Sequence, residues 1–255
     1  MKRSILIQCV SASILIMVSS LLSAGDIEGG AVRYQHITKY DFHTVFAQFD
    51  GPKVKDWLAS LPPENKGAKV LAFIENRAHY GKDPWAKDFL PQHVKEAQMK
   101  ADYVQRPKSN LIGIYYDFEK NEMIRQIEFM SRDFMVTDEI TIPPWKLTTQ
   151  KTKILNYLCM SAELEDGDRK IRAYFTPEIP FSVGPDEFFG LPGLILAVEI
   201  NGETVFLAQS VDLTLPDESV LSKPDKGKKV TQDKFNQIMK EKIKEYHEAN
   251  QWGEK

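Results

Sequence analysis

The chain is expected to fold as one mainly β domain with helices (α+β), a curved antiparallel meander sheet or half-barrel packed by helices. Three observations carry that expectation. Strand-like runs rich in β-branched and aromatic residues recur along the chain, separated by short breaks. Two of the breaks hold Asp166-Gly167 and Asn201-Gly202, dipeptides that suit tight turns between antiparallel strands. A helical stripe closes the sequence, with Phe235, Ile238, Met239, Ile243 and Tyr246 on one side and Lys and Glu around the rest.

The elements follow in order. Ala31 to Phe49 reads as one long bent strand or two in succession, stopped by Asp50, Gly51 and Pro52. PKVKDWLASLPP reads as a short helix ended by Pro62 and Pro63. Ala68 to Tyr80 is expected to be a second strand, and its low polarity on both sides implies cover on both faces. Residues 84 to 104 read as helix interrupted at Pro91. NLIGIYYDF and MIRQIEFM form a hairpin across Glu119 to Glu122, and IPPW at 142 to 145 breaks the chain again. LTTQKTKIL, YLCMSAEL, RKIRAYFT, LILAVEI and ETVFLAQSVDL then give an antiparallel meander. A polar link leads to the last helix, expected at 231 to 249 and more often docked on its own sheet than offered to a partner.

The first 25 residues place Lys2 and Arg3 before an uncharged apolar run that ends in Ser23, Ala24 and Gly25. That is the layout of a cleavable signal peptide, preferred here to a membrane anchor because of its small-residue end. The expected location is therefore periplasmic or secreted, with residues 26–255 as the folded domain. Removal of the peptide takes the net charge from −3 to −5, which offers nothing to a nucleic acid. Of the 2 cysteines, Cys9 lies in the peptide and Cys159 stands alone, so no internal disulfide can form and stability must come from burial.

No catalytic residue, cofactor or metal site is marked by a motif. The 5 histidines show no HExxH and no i, i+4 pair. A metal held by His36 or His43 with Asp41 and His79 is conceivable from separate strands, but solvated or core histidines are the commoner case. Cys159 sits among Tyr157, Leu158 and Met160, a setting for a buried thiol rather than a nucleophile. No serine after the peptide stands in GxSxG or SxxK. Glu178, Asp186 and Glu187 could supply a carboxylate pair, though acids in a loop are usually just solvated.

The loop from Pro177 to Phe189 is the best candidate binding surface, for a ligand or a partner. It is long for a strand connection, and Phe181, Phe188 and Phe189 flank Asp186 and Glu187 in it. The alternative is that its rings cap the end of the sheet. Pro192 and Gly193 suit the centre of a type II turn, so Gly190, Leu191, Pro192, Gly193, Leu194 and Ile195 read as a structural motif that aims a buried strand. An anion nest is disfavoured because no Lys, Ser or Thr lies among these glycines.

Residues 190 to 195 spell GLPGLI, and NYLCMSAEL, AYFTPEIP and GP precede the hexad. In that order the chain resembles the GLPGLI family of bacterial envelope proteins over roughly residues 146–212. Tyr174 stands where that family often has Trp, and Asp186-Glu187 where it often has Trp-Lys. The resemblance implies export and a β-rich fold, and it brings no established reaction. By fold analogy alone the strand and helix order is also similar to the half-barrels of periplasmic lipoprotein carriers. The expectation is an exported, non-enzymatic protein that binds an apolar small molecule or an envelope protein, with an uncharacterised hydrolase or metal-dependent enzyme as the alternative.

Overall fold

A computed structural model of the chain describes residues 27–39, 51–61, 64–83, 91–104, 107 and 109–251. The signal-peptide reading, the second part of the first strand, His43, Asp41 and the paired prolines fall outside them.

Among the described residues twelve strands form one open sheet. In chain order they are β1 (Gly29–Lys39), β2 (Glu64–Ile74), β3 (Arg77–Lys82), β4 (Ser109–Asp117), β5 (Glu122–Phe129), β6 (Arg132–Glu139), β7 (Lys146–Ile154), β8 (Tyr157–Asp166), β9 (Arg169–Thr176), β10 (Leu194–Ile200), β11 (Thr204–Asp212) and β12 (Lys228–Thr231). Their spatial order is β12-β6-β5-β4-β3-β2-β1-β11-β10-β9-β8-β7. Every neighbour pair is antiparallel except β12 with β6, which is parallel, so the sheet is mixed rather than purely antiparallel. Among the described residues three helices accompany it: α1 (Pro52–Ala59), α2 (Gln92–Val104) and α3 (Gln232–Gln251).

From sequence β2 and β3 read as a single strand, and β6 and β12 are not read as strands. The first two differences have local causes and the third a distant one. Glu75 takes a left-handed φ of 49° between Ile74 and Arg77, and nothing in Glu-Asn announces a turn as Asn-Gly does. Met130 and Ser131, with φ of 50° and 63°, make the two-residue turn from β5 to β6, an unusual use of Met. At β12 a parallel partner brought from far along the chain supplies the pairing that a four-residue polar strand could not specify alone.

Register fixes which side chains share a face. Val32 and Tyr34 of β1 stand beside Leu71 and Lys69 of β2, Leu71 beside Tyr80, Tyr80 beside Ile114, and Ile114 beside Arg125. On the other side of β1, His36 pairs with Phe206, which pairs with Val198. All of these lie on one face, where buried Val32, Tyr34, Leu71, Phe73, Tyr80, Ile114 and Tyr116 form the largest cluster. The loop 177–193 covers this face at its centre. Helix α3 covers the same face at the β5–β6 end, where Phe235 meets Phe129 and Phe134 at ring distances of 6.2 and 5.3 Å. Ile238, Met239 and Ile243 complete that packing, so the apolar stripe docks onto its own sheet.

The opposite face is covered by the link between β11 and β12. Its 3₁₀ turn, Glu218–Leu221, packs Leu221 and Val220 on Ala72 and Ile74. Lys223 then lies 5.3 Å over the Tyr115 ring. The continuous apolar run of β2 thus has cover on both faces, as its sequence implies. Helices α1 and α2 pack on each other through Leu58, Leu61 and Ala97. Among the described residues no helix is long and apolar enough to cross a membrane.

Candidate functional site

The loop after β9 folds back on the sheet rather than standing away from it. Its backbone is tied to the start of β10, with Leu194 N–H donating to Ile179 O and Ile195 N–H to Val183 O, both at 3.0 Å. Gly190 N–H donates to Ser182 O at 2.9 Å, closing the loop on itself. The IPPW segment braces it from outside, where the Trp145 indole N–H donates to Phe189 O at 2.8 Å. A Cβ on Gly190 would meet Ile142 Cγ2 at 2.6 Å, so this glycine, at φ +86°, lets the two segments touch.

The turn at Pro192 differs from the expected type II form. Gly193 N–H donates to Leu191 O at 2.8 Å, a three-residue turn about Pro192, and the N–H of Leu194 is taken by Ile179. The loop's own pairing with β10 claims the donor that a type II turn would use.

The aromatic residues singled out from sequence point inward. Phe188 and Phe189 are 5% and 4% exposed, and Phe181 is half-buried. Phe181 lies 4.5 Å from Phe73, Phe189 5.1 Å from Tyr116, and Phe188 6.2 Å from Phe206. Of the hexad, Leu191, Leu194 and Ile195 are buried to within 1%, while Pro192 is exposed.

Beneath the loop lies a polar cluster of which the sequence marked Asp186 and Glu187 but not their partners. Asp186, half-buried and at a left-handed φ of 56°, lies within electrostatic reach of Lys69, Tyr80, Tyr116 and Glu187. Burial, reinforced by the Glu187 charge, pushes its carboxyl up to about 6. Lys69 donates to Leu111 O at 3.0 Å and lies 5.5 Å over the Tyr80 ring. Burial lowers its ammonium pKa, and the Asp186 charge opposes that shift. Tyr116 donates to the Asp186 carbonyl at 3.4 Å, and Tyr34 to the Ile195 carbonyl at 2.5 Å. Among the described residues the fully buried Tyr80 hydroxyl has no hydrogen-bond partner.

Arg125 joins three parts of the fold. It donates to Glu187 of the loop at 3.0 Å and to the Gln232 side chain at the start of α3, and forms a longer ion pair with Asp138 of β6 at 3.6 Å. The one signal for it in the sequence was a cation at the strand position that register places among apolar side chains. The arrangement holds the loop on the sheet, and the Asp186 carboxyl can exchange a proton close to neutral pH.

The other candidates stay apart. His36 stacks on Phe206 at 4.3 Å, whereas His79 pairs with Ala72 and so lies on the opposite face, and the two cannot share an ion. Among the described residues no group of three or more His, Cys, Asp or Glu could hold a metal. Cys159 is buried, bonds Tyr157 O at 3.7 Å, and has its thiol pushed up to about 11, chiefly by burial. That keeps it a thiol rather than a thiolate at neutral pH. Glu178 accepts from the Leu158 amide at 3.1 Å, away from the Asp186 cluster.

Two surface clefts are also present. One of about 620 Å³ lies between the β8–β9 and β10–β11 hairpin ends and is lined by both signs of charge, among them Glu163, Arg172 and Glu199. The other, about 420 Å³, has Phe118, Phe181 and Val183 in its wall and Glu28, Glu75 and Arg77 around them.

The fold and loop define a mostly β protein built on one large open mixed sheet, with a self-packed loop where a binding surface was expected. A family model described as a protein of unknown function (Porph_ging) matches residues 161–197, a span from β8 into β10 that includes the hexad. Two crystal structures of PNGF-II, in space groups P21 and C2, are similar in fold, each with a TM-score of 0.52 at 15% identity over 83% of this chain. This chain spans about a third of the length of those PNGF-II chains, 33% and 32%. No curated protein matches.

Proposed function

We propose that the protein is an exported, non-enzymatic binding protein whose partner is another protein rather than an apolar small molecule. The carrying observation is that the loop-bearing face is filled from within. Phe181, Phe188 and Phe189 pack against Phe73, Phe206 and Tyr116, where the groove of a lipid carrier would have to be. An apolar ligand would have to displace rings that are already buried, at a cost of about 3–5 kcal/mol for each Phe ring driven from its site. Loop and α3 on one face suit the half-barrel curvature expected from sequence. Among the large apolar side chains left in water, Ile142, Leu147, Leu155 and Leu158 are 66%, 57%, 42% and 54% exposed, the last three on β7, β8 or the turn between them. Exposed apolar side chains near one another are a mark of protein interaction surfaces. Export rests on the signal-peptide layout and on the resemblance to the GLPGLI family.

Native mass spectrometry of the chain taken gently from the cell envelope tests this reading. The expected spectrum shows the processed chain bare or with a protein of defined mass. An adduct of lipid size released on denaturation would overturn it in favour of a carrier, and one of metal size would favour the enzyme alternative. Recovery of the unprocessed chain from the cytoplasm would remove the export part.

A further inference from the structure

We infer that the free edge of β7 is a strand-addition site for an extended acidic protein segment. This rests on the protein-binding reading above and names the surface and the chemistry of the partner. Among the described residues β7 ends the sheet with only β8 beside it, so one row of its backbone donors and acceptors has no strand partner there over a nine-residue strand. The opposite end, β12, has four residues. An extended segment can add to such an edge through main-chain hydrogen bonds, with side chains setting the choice of partner.

Register supplies that choice. Leu147 pairs with Ala162, Lys151 with Met160 and Lys153 with Leu158, which puts Leu147, Lys151, Lys153 and Leu158 on one face. All four are exposed. Between Leu147 and Lys151 the strand bulges, Thr148 bonds the Ser161 hydroxyl, and the Gln150 amide turns back to Thr148 Oγ1. Regular pairing is therefore left to Lys151–Ile154, flanked by two exposed leucines.

The strand KLTTQKTKI holds Lys146, Lys151 and Lys153 and no acid. A second copy of the chain would bring these lysines against themselves, and like charges across a strand pair are destabilising. A segment alternating Glu or Asp with apolar residues would instead oppose the lysines with carboxylates on that face and lay its apolar side chains beside half-buried Thr152 and Ile154 on the other. Lysines alone would merely protect an edge. The uncovered leucines beside them are what a protective edge would not need.

The test uses two labelled ten-residue peptides, one alternating Glu with Val and the other Lys with Val, titrated into the folded protein. The Glu peptide is expected to bind at least ten-fold more tightly than the Lys peptide, to shift the backbone NMR signals of residues 151–154, and to weaken as salt rises. The double variant Lys151→Glu, Lys153→Glu should reverse the preference, and both substitutions are on exposed sites that the fold does not need. Equal affinity for the two peptides, or no shift at 151–154, overturns the inference. So does a concentration-dependent dimer crosslinked through β7, which would make the occupant a second copy. A protein partner found by native mass spectrometry but crosslinked elsewhere would leave the protein-binding reading standing and remove this site.

Discussion

Replacing Gly193 by alanine is expected to lower stability by about 3–5 kcal/mol, combining overpacking against backbone with left-handed strain. The residue has a φ of +146°, and a Cβ would lie 2.1 Å from Thr176 O and 2.6 Å from Thr176 C. Those atoms belong to the end of β9, where Thr176 pairs with Leu194, so neither partner can retreat without parting β9 from β10. For a chain of this size the loss corresponds to a fall in Tm of roughly 10 °C. Gly202→Ala is the control. Its φ of +71° is also left-handed, but a Cβ there meets only Glu199 Oε1 at 3.7 Å, so about 1 kcal/mol of backbone cost remains. Thermal unfolding of the two variants checks the pair. Equal small shifts would mean that Gly193 is not the close-approach point of the hexad.

Asp186→Asn is expected to stabilise the protein at neutral pH, which is unusual for a change at a charged residue in a polar cluster. The folded-state carboxyl titrates at about 6, above its ordinary value of 3.8. Between those values the folded state holds a proton that the unfolded chain has lost. Stability from this group therefore falls as pH rises from about 4 to 6 and stays low above that window. The shift corresponds to a penalty on the order of 3 kcal/mol at pH 7, which asparagine removes while keeping an oxygen for the Glu187 amide. Other carboxylates act in the opposite sense. Asp117 is held low by Lys120, Asp212 by the Thr214 amide and Asp217 by Ser219, and their contributions are lost as pH falls. The informative quantity is thus the difference between native protein and variant, measured by denaturant unfolding from pH 4 to 8. It should open between pH 4 and 6 and then stay level. A constant difference would mean that the carboxyl is not held above its ordinary range.

Legibility from sequence followed the local signals. Asn201-Gly202 and Gly167 carry positive φ, and each marked its hairpin, although the second turn is Gly167-Asp168 rather than Asp166-Gly167. The stripe of α3 was readable because Phe235, Ile238, Met239 and Ile243 recur at helical spacing. Turns made by Glu75, Met130 and Ser131 were not, since those residue types give no warning of a left-handed backbone. The loop's aromatic excess was visible, but its inward direction was not. Exposure is decided by Tyr116, Phe73 and Phe206, which arrive from distant strands. The Asp186 cluster was hidden for the same reason, because Lys69 and Arg125 reach the loop only through the order in which β2, β3, β4 and β5 pair.

Hydrogen–deuterium exchange of the loop amides in the native protein tests most directly whether residues 177–193 are a fixed part of the core. The amides of Phe188, Gly190, Leu194 and Ile195 donate to Pro185, Ser182, Ile179 and Val183. They are expected to exchange as slowly as the β10 amides around Val198. Exchange as fast as that of a solvated loop, with slow exchange restored by an apolar ligand, would show that the loop is not part of the core and return the loop-bearing face to ligand binding.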